Sequence, residues 1–235
     1  MTPQLLKLLA KNKGKGYFKA ETTGDTATIY VYDAIVSDNY WGGITALDFV
    51  KELAAITAPN IDLRINSPGG DVFAARAMAQ AMKEHPGTIT AHVDGYAASA
   101  ATFLVIAADN SVISDGAMFM IHNAWTVAAG NAKDFADMAS LLSRTDQTIV
   151  NDYMAQTGAT EEQVKAWMDA ETYFYGQEAI DAGFITTLAA SAPKNKIDWD
   201  LSAYAKAPVN EPDPSEHLLQ QNQNRLRSMQ ALMPS

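Results

Sequence analysis

Short apolar runs alternate with helically spaced segments along most of this chain, and that alternation restricts the fold more than any other feature. Thr26–Ile35 carries Ile29, Val31 and two tyrosines in the pattern of a strand. After the Gly42–Gly43 break, Ile44, Leu47, Val50 and Leu53 recur at helical spacing up to Pro59. Ile61–Ile65 reads as a second strand, stopped by Ser67-Pro68-Gly69-Gly70, and Val72–Lys83 as a helix closed by His85-Pro86-Gly87. Thr88–Val93 is a third strand. Gly95 and the small-residue run Ala97–Ala108 follow, then two short strands at Ser111–Ile113 and Met118–Ile121. Such repetition implies an α/β domain with largely parallel strands.

The rest of the body is helical. Ala132–Gln156 places Phe135, Met138, Leu142, Ile149 and Tyr153 on one broad face. Thr160-Glu161-Glu162-Gln163 has the form of a capping box, and Gln177–Ala182 ends at Gly183, a suitable residue after a helix. Beyond residue 190 the character changes: Ala207–Pro214 is proline-rich and Gln220–Asn224 is a polar run. The expected division is a basic arm over 1–24, a folded domain over 25–190 and an extended tail over 191–235, with a short helix near Glu216–Leu232.

Composition narrows the chemistry. The 235 residues include no cysteine and four histidines, which removes thiolate metal sites, disulfides and cysteine nucleophiles. No cofactor and no metal site is expected, since the histidines are scattered and no Walker-type loop is present. No apolar run approaches the roughly 18 residues of a membrane span, so a soluble, intracellular protein with no membrane partner is expected. Residues 1–19 carry +5 and residues 20–193 carry −15. An acidic body argues against nucleic acid as a partner. The lysine cluster at the start reads as a solvated arm.

Three places look unusual for a packed core. Asn66-Ser67-Pro68-Gly69-Gly70 leaves backbone amides accessible at a strand end. Ser99 stands among tiny side chains in Gly95-Tyr96-Ala97-Ala98-Ser99-Ala100-Ala101, at a strand-to-helix junction where negative charge is stabilised. His122 ends the apolar strand Met118–Ile121. Each alone suits a turn, a helix cap or a core histidine. Together they suit a serine hydroxyl activated by an imidazole, with a carboxylate to hold the imidazole's tautomer. His217 falls in the tail, His85 in a turn and His92 on a strand face, which leaves His122 as the base. Asp169 and Glu171 offer two carboxylates.

In series, Asn66-Ser-Pro-Gly-Gly70, Gly95-x-Ala-Ala-Ser99, Met120-Ile-His122 and Glu178-Ala-x-x-x-Gly183-x-Ile185 resemble the ClpP family of serine peptidases. The resemblance covers roughly residues 25–190. It implies a spiral of β-β-α units shared with the crotonases. Ser99 would be nucleophile and His122 general base, with Gly69, Gly70 and Ala100 as oxyanion-hole donors. It also implies a homo-oligomeric ring, a heptamer or double heptamer, acting on protein or peptide substrates. With no Walker-type loop in the chain, any energy-driven unfolding would need a separate ATPase. The family's usual Asp, eight positions before Ala179, is here Glu171. Glu171 is thus the expected acid and Asp169 the alternative. The lysine-rich start and long tail resemble ClpP-related head-maturation proteases of phages and prophages. That points to capsid or scaffold proteins as substrates and to the bacterial host cytoplasm, including proheads, as the location. A catalytically inert ring or scaffold component is the main rival reading, and a crotonase-type acyl-CoA enzyme is a lesser one.

Overall fold

The computed structural model describes residues 3–40, 42–190 and 199–208. In chain order the elements are α1 (Pro3–Asn12), β1 (Tyr17–Thr23), β2 (Thr26–Tyr32), β3 (Ile35–Val36), β4 (Ile44–Thr45) and α2 (Ala46–Ala55). Next come β5 (Asn60–Ser67), α3 (Val72–Glu84), β6 (Thr88–Ala98), a 3-10 turn over Ser99–Ala101 and α4 (Thr102–Ala107). The chain continues with β7 (Asn110–Ile113), β8 (Met118–Ile121), α5 (Ala132–Thr157), α6 (Glu161–Asp169), β9 (Thr172–Tyr175), α7 (Gln177–Asp181) and β10 (Thr187–Leu188).

The main sheet runs β1-β2-β5-β6-β7-β10, parallel except for the β1–β2 hairpin. Its inward residues are the apolar positions that the sequence pattern marks: Ile29, Leu63, Ile65, Ala91 and Val93 are all essentially inaccessible. Helices α2 and α3 bury Phe49, Leu53, Met78 and Met82 in the same core. This is the mixed α/β architecture expected of a ClpP-like fold.

Strand β6 is longer than its sequence pattern suggests, and the extra length matters. Thr90–Val93 pair with β7, but past Gly95 the strand changes neighbour: Tyr96–Ala98 pair in parallel with β8. Gly95 lies so close to Asn66 that a Cβ there would stand 2.9 Å from the Asn66 Oδ1. Small residues let the backbones converge, and alanine's weak strand propensity is overridden by this packing. Strand β8 also pairs antiparallel with β9.

Both ends of the chain depart from expectation. In place of a solvated basic arm, residues 3–23 form α1, with Leu8 and Leu9 buried, and β1, an edge strand. The packed body does not stop at residue 190 either, because the described residues 199–205 belong to the same compact unit. Trp199, Leu201, Ala203 and Tyr204 are buried within it. Asn12 joins the two ends: its Nδ2 donates to the Asp200 carbonyl at 3.0 Å, and the Asp200 amide donates to its Oδ1 at 2.7 Å. Composition hid these contacts because they are few, specific and distant in sequence. A second unit is assigned to Lys206–Ser235, of which only 206–208 are described. The expected helix near Glu216–Leu232 and His217 lie outside the described residues.

Helix α5 starts on a full capping box between Asn131 and Asp134 and ends on Gly158 at φ 71°. Only its C-terminal part supplies core, through Ile149, Val150 and Tyr153. Phe135 and Leu141 are 52% and 48% exposed, so the apolar face continues beyond the core that covers it.

Candidate active site

Two strand ends build the site. The β6–β8 register sets Ala98 against Met120, so Ser99 leaves one strand beside the point where His122 leaves the other. The His122 Nε2 lies 2.7 Å from the Ser99 Oγ. That is hydrogen-bonding distance, within the reach a general base needs to take a hydroxyl proton.

Ser99 sits at φ 54°, a left-handed conformation that costs a non-glycine residue about 1–3 kcal/mol. Its surroundings hold it there. The Thr102 Oγ1 donates to the Ser99 carbonyl at 2.6 Å and is itself 2.7 Å from the buried Tyr153 hydroxyl. Ser99 opens the 3-10 turn Ser99–Ala101, whose carbonyls receive the Thr102 amide.

The Asn66–Gly70 turn closes against this corner. A Cβ on Gly69 would stand 2.3 Å from the Ala98 carbonyl oxygen and 3.0 Å from the Ala100 nitrogen, so glycine is required for the approach. One on Gly70 would stand 2.0 Å from the Ile35 carbonyl oxygen. The Gly69 amide already donates to the Ser67 Oγ at 3.2 Å. The bridge between Ile35 and Gly70 uses the Gly69 carbonyl and the Asp71 amide, leaving the Gly70 amide outside it. Of the two glycine amides expected as oxyanion donors, that of Gly69 is therefore already engaged, and that of Gly70 is not used in the bridge.

The two candidate carboxylates face different partners. Glu171, between α6 and β9 and itself at φ 49°, raises the proton affinity of His122 through its charge. Its oxygens accept from the Tyr173 hydroxyl at 3.2 Å and the Ala205 amide at 3.1 Å. Asp169 instead accepts from the Asn123 Nδ2 at 2.7 Å. Of the two, Glu171 is the carboxylate whose charge acts on His122. Burial outweighs the Glu171 charge at His122 and lowers its pKa from 6.5 to about 4, so the ring is neutral at pH 7.

Sequence patterning missed Trp199 and Tyr204. The Trp199 indole N–H donates to Asn66, reaching both its carbonyl oxygen and Oδ1. The Tyr204 ring stands edge-on to His122 with centroids 5.2 Å apart, and its hydroxyl donates to the Pro68 carbonyl. Two large aromatics five positions apart in a supposedly unpacked tail were the available signal. Beside these groups a cavity of about 260 Å³ opens next to Ser99, walled by Gly70, Val72, Trp125, Leu142 and Tyr204. Among the described residues no three His, Asp or Glu side chains gather to hold a metal ion.

Comparison with known proteins gives the family. A family model described as Clp protease matches residues 25–192. The chain is 32% identical over 135 residues to ATP-dependent Clp protease proteolytic subunit 1 of Leifsonia xyli subsp. xyli, covering 57% of this chain and 68% of that protein. To proteolytic subunit 1 of Corynebacterium jeikeium it is 32% identical over 138 residues, covering 58% and 73%. To proteolytic subunit 3 of Rhodococcus jostii it is 31% identical over 146 residues, covering 61% and 72%. With the family model spanning most of the sequence, the chain belongs to the Clp protease family.

Proposed function

We propose that this protein is a serine endopeptidase in which Ser99, His122 and Glu171 form the catalytic triad. The observation that carries the reading is the 2.7 Å contact between the His122 Nε2 and the Ser99 Oγ. His122 takes the hydroxyl proton as Ser99 attacks the scissile carbonyl, and the imidazolium then gives that proton to the leaving amine. The carbonyl oxygen, now negative, points toward the Gly70 and Ala100 amides. Glu171 stabilises the transient imidazolium. Water, activated by the same imidazole, releases the acyl group.

Ring assembly is part of the proposal. Val127, Phe135 and Leu141 expose apolar surface at and before the uncovered part of α5, which a second copy would cover. The relatives are named as proteolytic subunits of ATP-dependent proteases, so folded substrates would need a separate ATPase here too. Capsid or scaffold proteins as substrates form a narrower proposal that rests on the lysine-rich start and the long tail. The relatives' names do not speak to it, and incubation with purified capsid protein tests it. No helix among the described residues is long and apolar enough to cross a membrane.

A compact fluorophosphonate tests the central step. It should label wild-type protein at Ser99 and leave Ser99→Ala unlabelled. Equal labelling of both, or of neither, would favour the inert-ring reading.

A further inference from the structure

We infer that Trp199–Ala205 is an intramolecular strap that occupies the leaving-group half of the substrate groove and must withdraw before an extended polypeptide can be cleaved. The inference rests on the peptidase reading above.

The geometry follows from the direction of proton transfer. In a serine–histidine reaction the leaving nitrogen must come next to the imidazole nitrogen that protonates it. The polypeptide beyond the scissile bond therefore passes over the histidine. Here that place is taken by the Tyr204 ring, edge-on to His122 at 5.2 Å. Tyr204 is 8% exposed, and its hydroxyl both donates to the Pro68 carbonyl and interacts with the Ser99 side chain. The next residue ties down the acid, since the Ala205 amide donates to the Glu171 Oε2.

Tyr204 also divides the space around the catalytic pair. It walls the 260 Å³ cavity beside Ser99 and a second cavity of about 260 Å³ beside Glu171, Asp169 and Asn123. His122, Ala124 and Trp125 line both. A compact acyl group can enter the first cavity with Tyr204 in place. A chain with residues on both sides of the scissile bond cannot run from one to the other until the ring moves.

The strap is anchored away from the site as well as within it. The Trp199 indole binds Asn66, Asp200 exchanges hydrogen bonds with Asn12, and the Lys7 Nζ donates to the Ser202 carbonyl at 2.6 Å. These contacts are hydrogen bonds and aromatic packing with no covalent link, so closed and open forms can exchange. The occupant that competes with the strap is an extended polypeptide, whose main chain could take the partners that Tyr204 and Ala205 now use.

Two activities of the full-length protein test this: labelling by a compact fluorophosphonate and cleavage of fluorescein-labelled unfolded casein. In Trp199→Ala, casein cleavage should rise at least about ten-fold as the open fraction grows, while labelling of Ser99 changes less than about three-fold. Tyr204→Phe keeps the packing and removes only the hydroxyl, so it should raise casein cleavage by about five-fold. It guards against Trp199→Ala failing to fold. In Ser99→Ala, which binds substrate without turning it over, hydrogen exchange over 199–205 should accelerate on saturation with unfolded casein, whose chain runs on both sides of the scissile bond.

Casein cleavage that stays level or falls in the folded variants, with Ser99 still labelled, would make the segment a fixed wall and overturn the inference. Unchanged exchange at 199–205 with casein bound to Ser99→Ala would do the same. Absence of Ser99 labelling in every protein would remove the peptidase reading, and the strap with it.

Discussion

At the residue scale, His122 has two opposing neighbours, and their balance sets its protonation. Burial disfavours the imidazolium and the Glu171 charge favours it, with burial the larger effect. Of the other ionisable groups around it, Asp169 is engaged by Asn123, Asp146 accepts from the Ala124 amide, and Tyr204 is kept protonated by burial. A base with a pKa of about 4 stays neutral in mildly acidic solution, so the acid limb of labelling should lie well below the pH 6.5–7 of an ordinary histidine. Stability follows from the same shift. Between pH 6.5 and about 4 the unfolded chain binds the proton and the folded chain does not. Stability is therefore full above 6.5 and declines as pH falls toward 4, by up to about 3 kcal/mol, measurable by urea unfolding across that range. The two carboxylates should separate by mutation. Glu171→Gln should lower kcat/KM on a peptide substrate by about 10²- to 10⁴-fold, whereas Asp169→Asn should change it by less than about five-fold. A larger effect at Asp169 would reverse the assignment.

At the element scale, the site depends on β6 continuing past Gly95 to meet β8, and on a glycine turn that can approach Ser99. Gly69→Ala would bring a Cβ within 2.3 Å of the Ala98 carbonyl oxygen at a backbone φ of 86° that alanine disfavours. It should cost about 1–3 kcal/mol in thermal or urea unfolding and displace the nucleophile, lowering labelling by about ten-fold or more. Strands, helices and the Ser–His pairing were legible in the sequence because they follow from local periodicity and from serial motifs. The change of partner by β6 was not, because it depends on which backbones converge. The strap was not legible either. Its anchors, Asn12, Asn66 and Glu171, lie far from Trp199–Ala205 along the chain, and a segment beside a proline-rich stretch carries no hydrophobic period. Glu171 and Asp169 were both legible as positions, while the charge of Glu171 acting on His122 and the separate Asn123–Asp169 bond needed the three-dimensional arrangement.

At the scale of the whole molecule, the exposed apolar part of α5 and the closed groove point to a peptidase whose activity depends on more than its triad. Phe135→Glu places a charge on that surface and should lower the native mass of the assembly without lowering the melting temperature of the subunit by more than a few degrees. An unchanged native mass would remove α5 from the contact between copies. Beneath these questions lies the chemistry of one hydroxyl. Mass spectrometry of the wild-type protein after reaction with a compact fluorophosphonate reads it without requiring the strap to open or the natural substrate to be known. One adduct is expected, on the peptide containing Ser99, absent in Ser99→Ala and formed at least about 10³-fold more slowly in His122→Ala. An adduct elsewhere, or a rate that His122→Ala leaves unchanged, would contradict the assignment of Ser99 and His122 as nucleophile and base.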